Sequence, residues 1–266
     1  MNKKNDLKTT APGAAAGAPS STADSGAASI MAHLVSHYPS GPASLEVGRE
    51  LIASGVSFLE VQFPFSDPTA DGPSIQAACT KALENGFKTK HGFETVASLA
   101  GAGKVPIFIM TYASLVVALG VHSFAERAAR AGAHGLIVPD LPPDYDEGLY
   151  AAAGAAGLHA VPVLVPSAAP ERVEAALATG ASYVYAALRK GITGTATEIG
   201  EENVAFLTRL RSAGVHVMAG FGIRTRTQVE ALREHCDTVV VGSAFVERIA
   251  SGHSVAPLAE ELVYGP

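Results

Sequence analysis

Residues 58–73, FLEVQFPFSDPTADGP, constrain this chain more than any other stretch of its sequence. The stretch begins with apolar and aromatic residues that suit a β-strand, and alternation places Phe58, Glu60 and Gln62 on one face of it. Three prolines then end the strand and predict a stiff loop that carries Asp71. Because a carboxylate inside a strand is costly to bury unless it is paired or used, we expect Glu60 and Asp71 to meet in one pocket.

From residue 30 onward, strand-like and helix-like segments alternate along the chain. The strand candidates are residues 30–36, 57–62, 105–111, 135–139, 159–165, 182–185, 215–219 and 238–241. Helices are predicted at residues 44–54, 75–85, 93–100, 123–131, 144–156, 170–178, 202–212, 228–235 and 244–262. Most of these helices end before a glycine, the residue that favours the left-handed turn after a helix. The pattern predicts an α/β fold, a single (β/α)8 TIM barrel with its active site at the C-terminal ends of the strands.

Two further features bear on domain organisation. A doubly wound open sheet is the alternative fold, but it would show fewer strands and a Gly-rich turn after the first, where this chain has SHYP at residues 36–39. Residues 1–27 consist mostly of Ala, Gly, Ser, Thr and Pro, and so cannot bury enough surface to offset their ordering entropy. We therefore predict a disordered tail at residues 1–27 and a catalytic barrel at residues 28–266.

Composition excludes several classes of function. The formal net charge is -6 and basic residues do not cluster, which argues against a nucleic-acid or anionic-membrane partner. The longest apolar run, residues 105–119, is too short to span a bilayer. Cys79 and Cys236 form neither a disulfide framework nor a metal cluster, and the histidines lack metal-binding spacings. A cytoplasmic protein without a metal site is the expectation.

Glycine-rich turns follow the last two predicted strands, GFGI at residues 220–223 and VGSAFV at residues 241–246. Each turn opens onto a helix, whose first N–H groups and dipole favour an anion. Residues 187–200, with Gly194 and several threonines, suit a mobile lid. One such glycine alone would indicate only a tight turn, but two in register with Gly194 predict a phosphate site.

The segments FLEVQFPFSDPTADGPSIQ, YVYAALRKGITG, AGFGI and VGSAFV occur in this order along the chain. Together they resemble the tryptophan synthase alpha subunit family, and the resemblance extends from about residue 30 to the end. It implies a carbon–carbon lyase of tryptophan biosynthesis that cleaves indole-3-glycerol phosphate to indole and glyceraldehyde 3-phosphate by a retro-aldol reaction. It also implies a beta-subunit partner in an α2β2 heterotetramer, with pyridoxal phosphate in that partner and no cofactor in this chain.

The resemblance assigns roles by matching motif. The catalytic positions are the proton shuttle Glu60, the second carboxylate Asp71, the pocket tyrosine Tyr185 and the lid threonine Thr193, which hydrogen-bonds Asp71 on closure. The phosphate-binding positions are Gly194, Gly222, Gly242 and Ser243. The substrate-pocket positions are His33, Tyr112 and Phe221.

The reaction needs groups of this kind. Indole C3 must gain a proton before the carbon–carbon bond breaks, and the neighbouring hydroxyl must then lose one, so one carboxyl that alternates between its two forms serves both steps. An apolar wall raises the pKa of such a carboxyl, and Phe58, Phe63 and Tyr185 are candidates for it. A second carboxylate, kept ionised, accepts a hydrogen bond from the indole N–H and stabilises the positive charge that develops there.

Alternative interpretations remain for single residues. Glu60 is alternatively a buried structural ion pair, and Asp71 alternatively caps the helix that follows it. Asp140 is interpreted as a turn former rather than a pocket residue. Four positions differ from the family pattern: His33 replaces an aromatic residue, Gln62 a glycine, Ser114 an asparagine associated with the beta subunit, and Lys190 a small residue.

Alternative functions are also open at this point. The chain is alternatively a non-catalytic phosphate-binding barrel that activates a beta-subunit partner, or a stand-alone indole-3-glycerol phosphate lyase. Another phosphosugar barrel enzyme, such as indole-glycerol-phosphate synthase, would need lysines at strand ends, and the predicted strands contain none.

Overall fold

A computed structural model describes residues 27–188, 200–220 and 222–265 of the chain. Within them, the strand segments in chain order are β1 Ile30–Val35, β2 Phe58–Gln62, β3 Ile107–Met110, β4 Gly135–Ile137, β5 His159–Val161, β6 Val163–Leu164, β7 Tyr183–Ala187, β8 His216–Gly220 and β9 Thr238–Val241. The pairings between neighbouring strands are parallel, and the sheet order is β5-β4-β3-β2-β1-β9-β8-β7-β6. The predicted tail, except for Ala27, lies outside the described residues.

The two ends of this sheet belong to one predicted strand. Only Pro162 separates β5 from β6, and β5 pairs with β4 whereas β6 pairs with β7. Proline has no N–H for a sheet ladder, so pairing changes sides at this residue. The Pro162 carbonyl accepts a hydrogen bond from the Tyr185 N–H at 2.9 Å. The sheet thereby closes into a barrel of eight strands, of which the fifth is interrupted at Pro162. This closure confirms the predicted (β/α)8 architecture.

Helices surround the barrel. Those in the described residues are α1 Gly41–Ala53, α2 Pro73–Glu84, α3 Thr89–Ala100, α4 Ala113–Leu119, α5 Val121–Arg130, α6 Leu149–Ala155, α7 Pro170–Ala178, α8 Glu201–Ser212, α9 Arg226–Arg233, α10 Ser243–Ala250 and α11 Ala256–Tyr264, with a short 3-10 turn at Pro143–Tyr145. Gly55 and Gly214, just after α1 and α8, have φ angles of 84° and 78°, as the sequence predicts for the turn after a helix.

Two predicted helical regions differ from the structure, and one helix was not predicted. Residues 144–156 form the 3-10 turn and the shorter α6, because Gly148 takes a left-handed conformation between them. Residues 244–262 form two helices, since Gly252 has a φ of 69° and Pro257 lies in the first turn of α11. The helix α4 was not predicted, because its seven mostly apolar residues continue the apolar run of β3 and carry little helical periodicity.

Side-chain alternation in the strands divides the core into two layers. Leu59 and Val61 pack outward against the helices, while Phe58 packs inside the barrel with residues from the other strands. Glu60 and Gln62 therefore face the barrel interior, as predicted. Phe63 does not form part of an inner wall: that prediction was wrong, because its ring packs in the outer layer against Phe87, Phe93 and Phe124.

The amino-terminal ends of the strands form a barrel floor lined by histidines. Tyr183 begins β7, and its hydroxyl lies 3.1 Å from Nε2 of His134. The rings of His159 and His216 lie 4.9 and 5.1 Å from the Tyr183 ring. Tyr183 thus belongs to the floor, and Tyr185, two residues further along β7, is the tyrosine that reaches the opposite end. None of the helices in the described parts is long and apolar enough to cross a membrane.

Candidate active site

A cavity of about 610 Å³ opens at the carboxyl ends of the strands, within the roughly 300–1,000 Å³ of pockets that hold small molecules. β1, β2 and the loop after β2 contribute His33, Glu60 and Asp71 to its lining. The turns after β8 and β9 contribute Gly222, Arg224, Gly242 and Ser243 to the same lining. The two predicted carboxylates and the described part of the predicted phosphate site therefore face one space.

The register between β1 and β2 sets Glu60 directly beside His33. Both side chains point into the barrel, and Nδ1 of His33 lies 2.6 Å from Oε2 of Glu60. Burial alone would lower the pKa of His33, but the hydrogen bond and charge of Glu60, helped by the charge of Asp71, raise it above 6.5. Glu60 thus forms a buried pair with His33, as the structural ion-pair interpretation expects. The same carboxyl also lines the cavity.

A second cluster holds the Asp71 side chain. Its Oδ2 accepts hydrogen bonds from Nε2 of Gln62 at 2.6 Å and from the Tyr112 hydroxyl at 2.7 Å. The Tyr112 hydroxyl in turn accepts from the Ala70 N–H at 3.1 Å. Asp71 does not cap the following helix: that alternative is wrong, because α2 begins after Gly72 without a side-chain cap.

Burial and hydrogen bonding act on Asp71 in opposite directions. Burial raises the pKa of this carboxyl, which is 4% exposed, and the charge of Glu60 adds to that rise. The charge of His33 and the bonds from Tyr112 and Gln62 favour the carboxylate, but the pKa stays above its ordinary value. Burial and the neighbouring Asp71 also raise the pKa of Tyr112, so its hydroxyl keeps its proton and donates.

Tyr112 and Tyr185 occupy different places relative to the cavity. Tyr185 lines it together with Met110 and Ile137, which form an apolar wall, and burial raises the pKa of the Tyr185 hydroxyl. Tyr112 is 1% exposed and lies behind Asp71, where Phe65 stacks on its ring at 5.4 Å. Tyr112 therefore holds the carboxylate rather than lining the described cavity.

The other end of the cavity has the features of an anion site. Gly222 has a φ of 83°, a backbone conformation that side-chain-bearing residues rarely adopt. Gly242 precedes α10, and Ser243 is the first residue of that helix, so the helix amino terminus faces the cavity lining.

Arg224 and Glu247 were not predicted as site residues. Two hydrogen bonds of 2.6 and 2.5 Å join the Arg224 guanidinium to the Glu247 carboxylate, which also accepts from Ser74 at 2.7 Å. The charge pair raises the pKa of Arg224 and lowers that of Glu247. A cation directly after GFGI was the signal in the sequence, and its partner, 23 residues later, could not be identified from spacing.

Several predicted positions lie elsewhere. Thr193, Gly194 and Phe221 lie outside the described residues, as does Lys190. Asp140 is exposed, lies in a turn after β4 and does not line the cavity. Its Oδ1 also accepts from the Ala113 N–H at 2.9 Å and so bonds to the start of α4, a contact that was not predicted. Across the described ranges, no group of three or more His, Cys, Asp or Glu side chains is placed to hold a metal ion.

Comparison with known proteins gives consistent similarities. The sequence model of the tryptophan synthase alpha chain family matches residues 20–262. The chain is 36% identical over 240 residues to the tryptophan synthase alpha chain of Mycobacterium marinum, covering 90% of this chain and 89% of that one. It is 36% identical over 228 residues to the alpha chain of Helicobacter hepaticus, covering 83% of this chain and 85% of that one.

Solved structures show the same similarity. A tryptophan synthase structure from Mycobacterium tuberculosis superposes with a TM-score of 0.83 at 33% identity, covering 89% of this chain and 91% of that chain. A tryptophan synthase complex from Pyrococcus furiosus superposes with a TM-score of 0.79 at 29% identity, covering 89% of this chain and 98% of that chain.

Proposed function

This chain belongs to the tryptophan synthase alpha chain family and is a lyase that cleaves indole-3-glycerol phosphate to indole and glyceraldehyde 3-phosphate; from this premise we propose how its residues divide the work. The observation that carries the proposal is that Glu60 and Asp71 line one cavity whose other end is built from Gly222, Gly242 and Ser243. An indole ring at the carboxylate end and a phosphate at the glycine end fit this arrangement.

Glu60 is the proton shuttle of the proposed mechanism. In its acid form it gives its proton to indole C3, which makes the ring an electron-deficient indolenine. The resulting carboxylate then takes the proton of the side-chain hydroxyl next to the breaking bond. As that bond breaks, its electron pair returns to the ring, the hydroxyl oxygen becomes the aldehyde carbonyl of the product, and Glu60 regains its acid form.

Asp71 is the electrostatic partner. As a carboxylate it accepts a hydrogen bond from the indole N–H, where positive charge develops after protonation of C3. Gln62 and Tyr112 support this role because both donate to the same oxygen, Oδ2, and leave Oδ1 for the substrate. Thr193 is proposed to contact Asp71 when the lid closes, and Tyr185 to pack beside the reacting carbon.

Phosphate binding is assigned to the main chain at Gly194, Gly222, Gly242 and Ser243. The amino terminus of α10 supports this assignment, since its N–H groups and dipole favour an anion. His33 and Phe221 are proposed to contact the indole part of the substrate. The groups that this reaction needs are proton carriers and an anion site, so we assign no cofactor to this chain. We also propose a cytoplasmic location, as expected for an enzyme of amino-acid biosynthesis.

A tryptophan synthase beta subunit is the proposed partner, in an α2β2 heterotetramer that holds pyridoxal phosphate in the beta subunit. The Pyrococcus furiosus relative is a tryptophan synthase complex. Val117 of α4 and Tyr145 of the 3-10 turn are large apolar side chains that remain 51% and 75% exposed on segments following the neighbouring strands β3 and β4. We propose this part of the catalytic face as the docking surface.

Indole release tests the proposal. We would measure it with purified chain and indole-3-glycerol phosphate, with and without a beta subunit from a relative. Glu60→Gln should reduce kcat by about 10²–10⁴-fold, while Glu260→Gln, at an exposed position of α11, should match the parent. Equal rates for the parent and Glu60→Gln, or no indole from the parent under either condition, would overturn the proposal.

A further inference from the structure

The Glu60 carboxyl has a neighbour that the proposed proton steps do not use. His33 lies beside it on β1, only 2% exposed, and its ring nitrogen Nε2 has no hydrogen-bond partner among the described residues. A buried imidazole that contacts a reacting carboxyl through one nitrogen needs an explanation beyond packing. Its Nδ1 lies 2.6 Å from Oε2 of Glu60, just below the roughly 2.7–2.9 Å of charge-assisted N–H···O hydrogen bonds.

The geometry fixes this ring in place. The strand register sets His33 opposite Glu60, so backbone pairing holds the two side chains together. On the side of Gly242, a β-carbon built on that glycine would lie 3.6 and 3.7 Å from Cβ and Cγ of His33. The Gly242 turn therefore lies beside the histidine with space for about one methyl group between them, and the strand register and the hydrogen bond to Oε2 keep the ring next to Glu60.

We propose that His33 is a positioning residue of the lyase reaction, whose Nδ1–H holds Oε2 of Glu60 so that proton exchange with the substrate runs through Oε1. The inference rests on the proposed role of Glu60. When Oε1–H gives its proton to indole C3, negative charge develops on the carboxylate, and the Nδ1–H···Oε2 bond strengthens. When the substrate hydroxyl returns a proton to Oε1, the bond relaxes. No proton is gained or lost by His33 over the cycle.

The pairing can be tested without any turnover. Nitrogen-15 NMR of the imidazoles, with the His33 signals identified by their absence in His33→Asn, reports the protonation of each ring nitrogen. We expect His33 to titrate above pH 6.5 in the parent, the direction in which Glu60 raises its pKa. In Glu60→Gln we expect it to titrate at a lower pH than in the parent, because burial still lowers the pKa and Glu60 no longer raises it. The same titration in both proteins would overturn the proposal, whether or not the chain releases indole.

Two substitutions separate positioning from packing. In His33→Asn the amide N–H₂ replaces Nδ1–H, so it keeps a donor for Oε2 but loses the ring. His33→Phe keeps a ring and loses the donor. We expect kcat to fall about tenfold in His33→Phe, the effect of one hydrogen bond to a charged group, and to recover most of that loss in His33→Asn. His122→Asn, at an exposed position of α5, is the matched control.

The pH profile adds a readout that packing alone would not move. In His33→Phe and His33→Asn the limb of the kcat profile that reflects the imidazole should disappear, while His122→Asn keeps the parent profile. A purely structural His33 would give the opposite order of activities, with phenylalanine better tolerated than asparagine, and unchanged profiles. That combination would overturn the proposal.

Discussion

Gln62 donates from Nε2 to Oδ2 of Asp71 at 2.6 Å, so a side chain of β2 directly holds the second carboxylate. Gln62 lies two residues after Glu60 on the same inward face of β2. One strand thereby carries the proposed proton shuttle and a ligand for the proposed electrostatic partner. The Oε1 atom of Gln62 is buried and has no hydrogen-bond partner among the residues that the structure describes.

Removing the Gln62 donor should shift the acid limb of activity. Asp71 acts as a carboxylate, so activity falls as pH decreases through its pKa, which burial already raises above the ordinary value. In Gln62→Leu the carboxylate loses a charge-assisted bond worth roughly 1.5–3 kcal/mol. The acid limb of kcat/KM should therefore move about 1–2 pH units upward, and Tyr112→Phe should move it in the same direction.

Gln76→Leu is the matched control for this shift. Nε2 of Gln76 donates at 2.8 Å to the main-chain carbonyl of Asp71 and not to its carboxylate. Its profile should keep the parent acid limb. An unchanged limb in both Gln62→Leu and Tyr112→Phe would contradict the assignment of Asp71 as the ionised partner.

Arg224 and Glu247 give opposite expectations for phosphate binding. The carboxylate cancels most of the guanidinium charge at the anion end of the cavity. Arg224→Gln should weaken binding of glycerol 3-phosphate about tenfold, because it leaves the Glu247 carboxylate uncompensated near the anion end. Glu247→Gln should tighten it severalfold and make it more salt-dependent, because an uncompensated cation remains.

Isothermal titration calorimetry at two salt concentrations measures both affinities. Arg130→Gln, in an exposed pair with Glu126 on α5, should bind like the parent. If the Arg224 and Glu247 substitutions change the affinity in the same direction, the guanidinium does not contribute charge to the anion site.

Local patterns in the sequence predict the inner face of β2 and the meeting of Glu60 with Asp71. Alternation is a property of one strand, and a barrel brings strand ends together regardless of exact register. The partners of these carboxylates depend on long-range register instead. His33 reaches Glu60 only because β1 and β2 pair as they do, and Tyr112 reaches Asp71 from 41 residues away.

The errors in the predicted fold have separate causes. The helix α4 is too short to show a helical period, and the change of pairing at Pro162 is a property of barrel closure. Phe63 packs in the same outer layer as Leu59 and Val61, which is where alternation along β2 would place it. The prediction of an inner wall followed the aromatic character of the residue and not its position in the alternation.

Phe63 should matter for stability and not for chemistry. The ring is fully buried and contacts Phe87, Phe93 and Phe124 on the helix side of the sheet. Phe63→Ala should lower the free energy of unfolding by about 3–5 kcal/mol, the usual cost of emptying an aromatic core site. Urea unfolding measures the loss, and Val117→Ala, at a half-exposed position, is the control. A tenfold loss of kcat in folded Phe63→Ala would instead place the ring near the reaction.

The floor histidines should make the fold sensitive to acid. Burial lowers the pKa of His134 to about 4, with help from the neighbouring His159. Burial also lowers the pKa values of His159 and His216, although Asp237 opposes the effect on His216. Between pH 6.5 and about 4 the unfolded chain therefore binds more protons at His134 than the folded chain, and stability falls as pH falls through that window.

His134→Asn isolates this contribution, because asparagine does not titrate. It should be less stable than the parent at pH 7, since it loses the ring that packs on Tyr183, and the difference should shrink as pH falls from 6.5 towards 4. Subtracting the two curves removes the effects of His33 and Asp71, whose raised pKa values stabilise the fold at low pH and lose that effect as pH rises. Urea midpoints at several pH values measure the difference, with His122→Asn as the exposed control. A difference that stays constant across the window would mean that folding does not lower the pKa of His134.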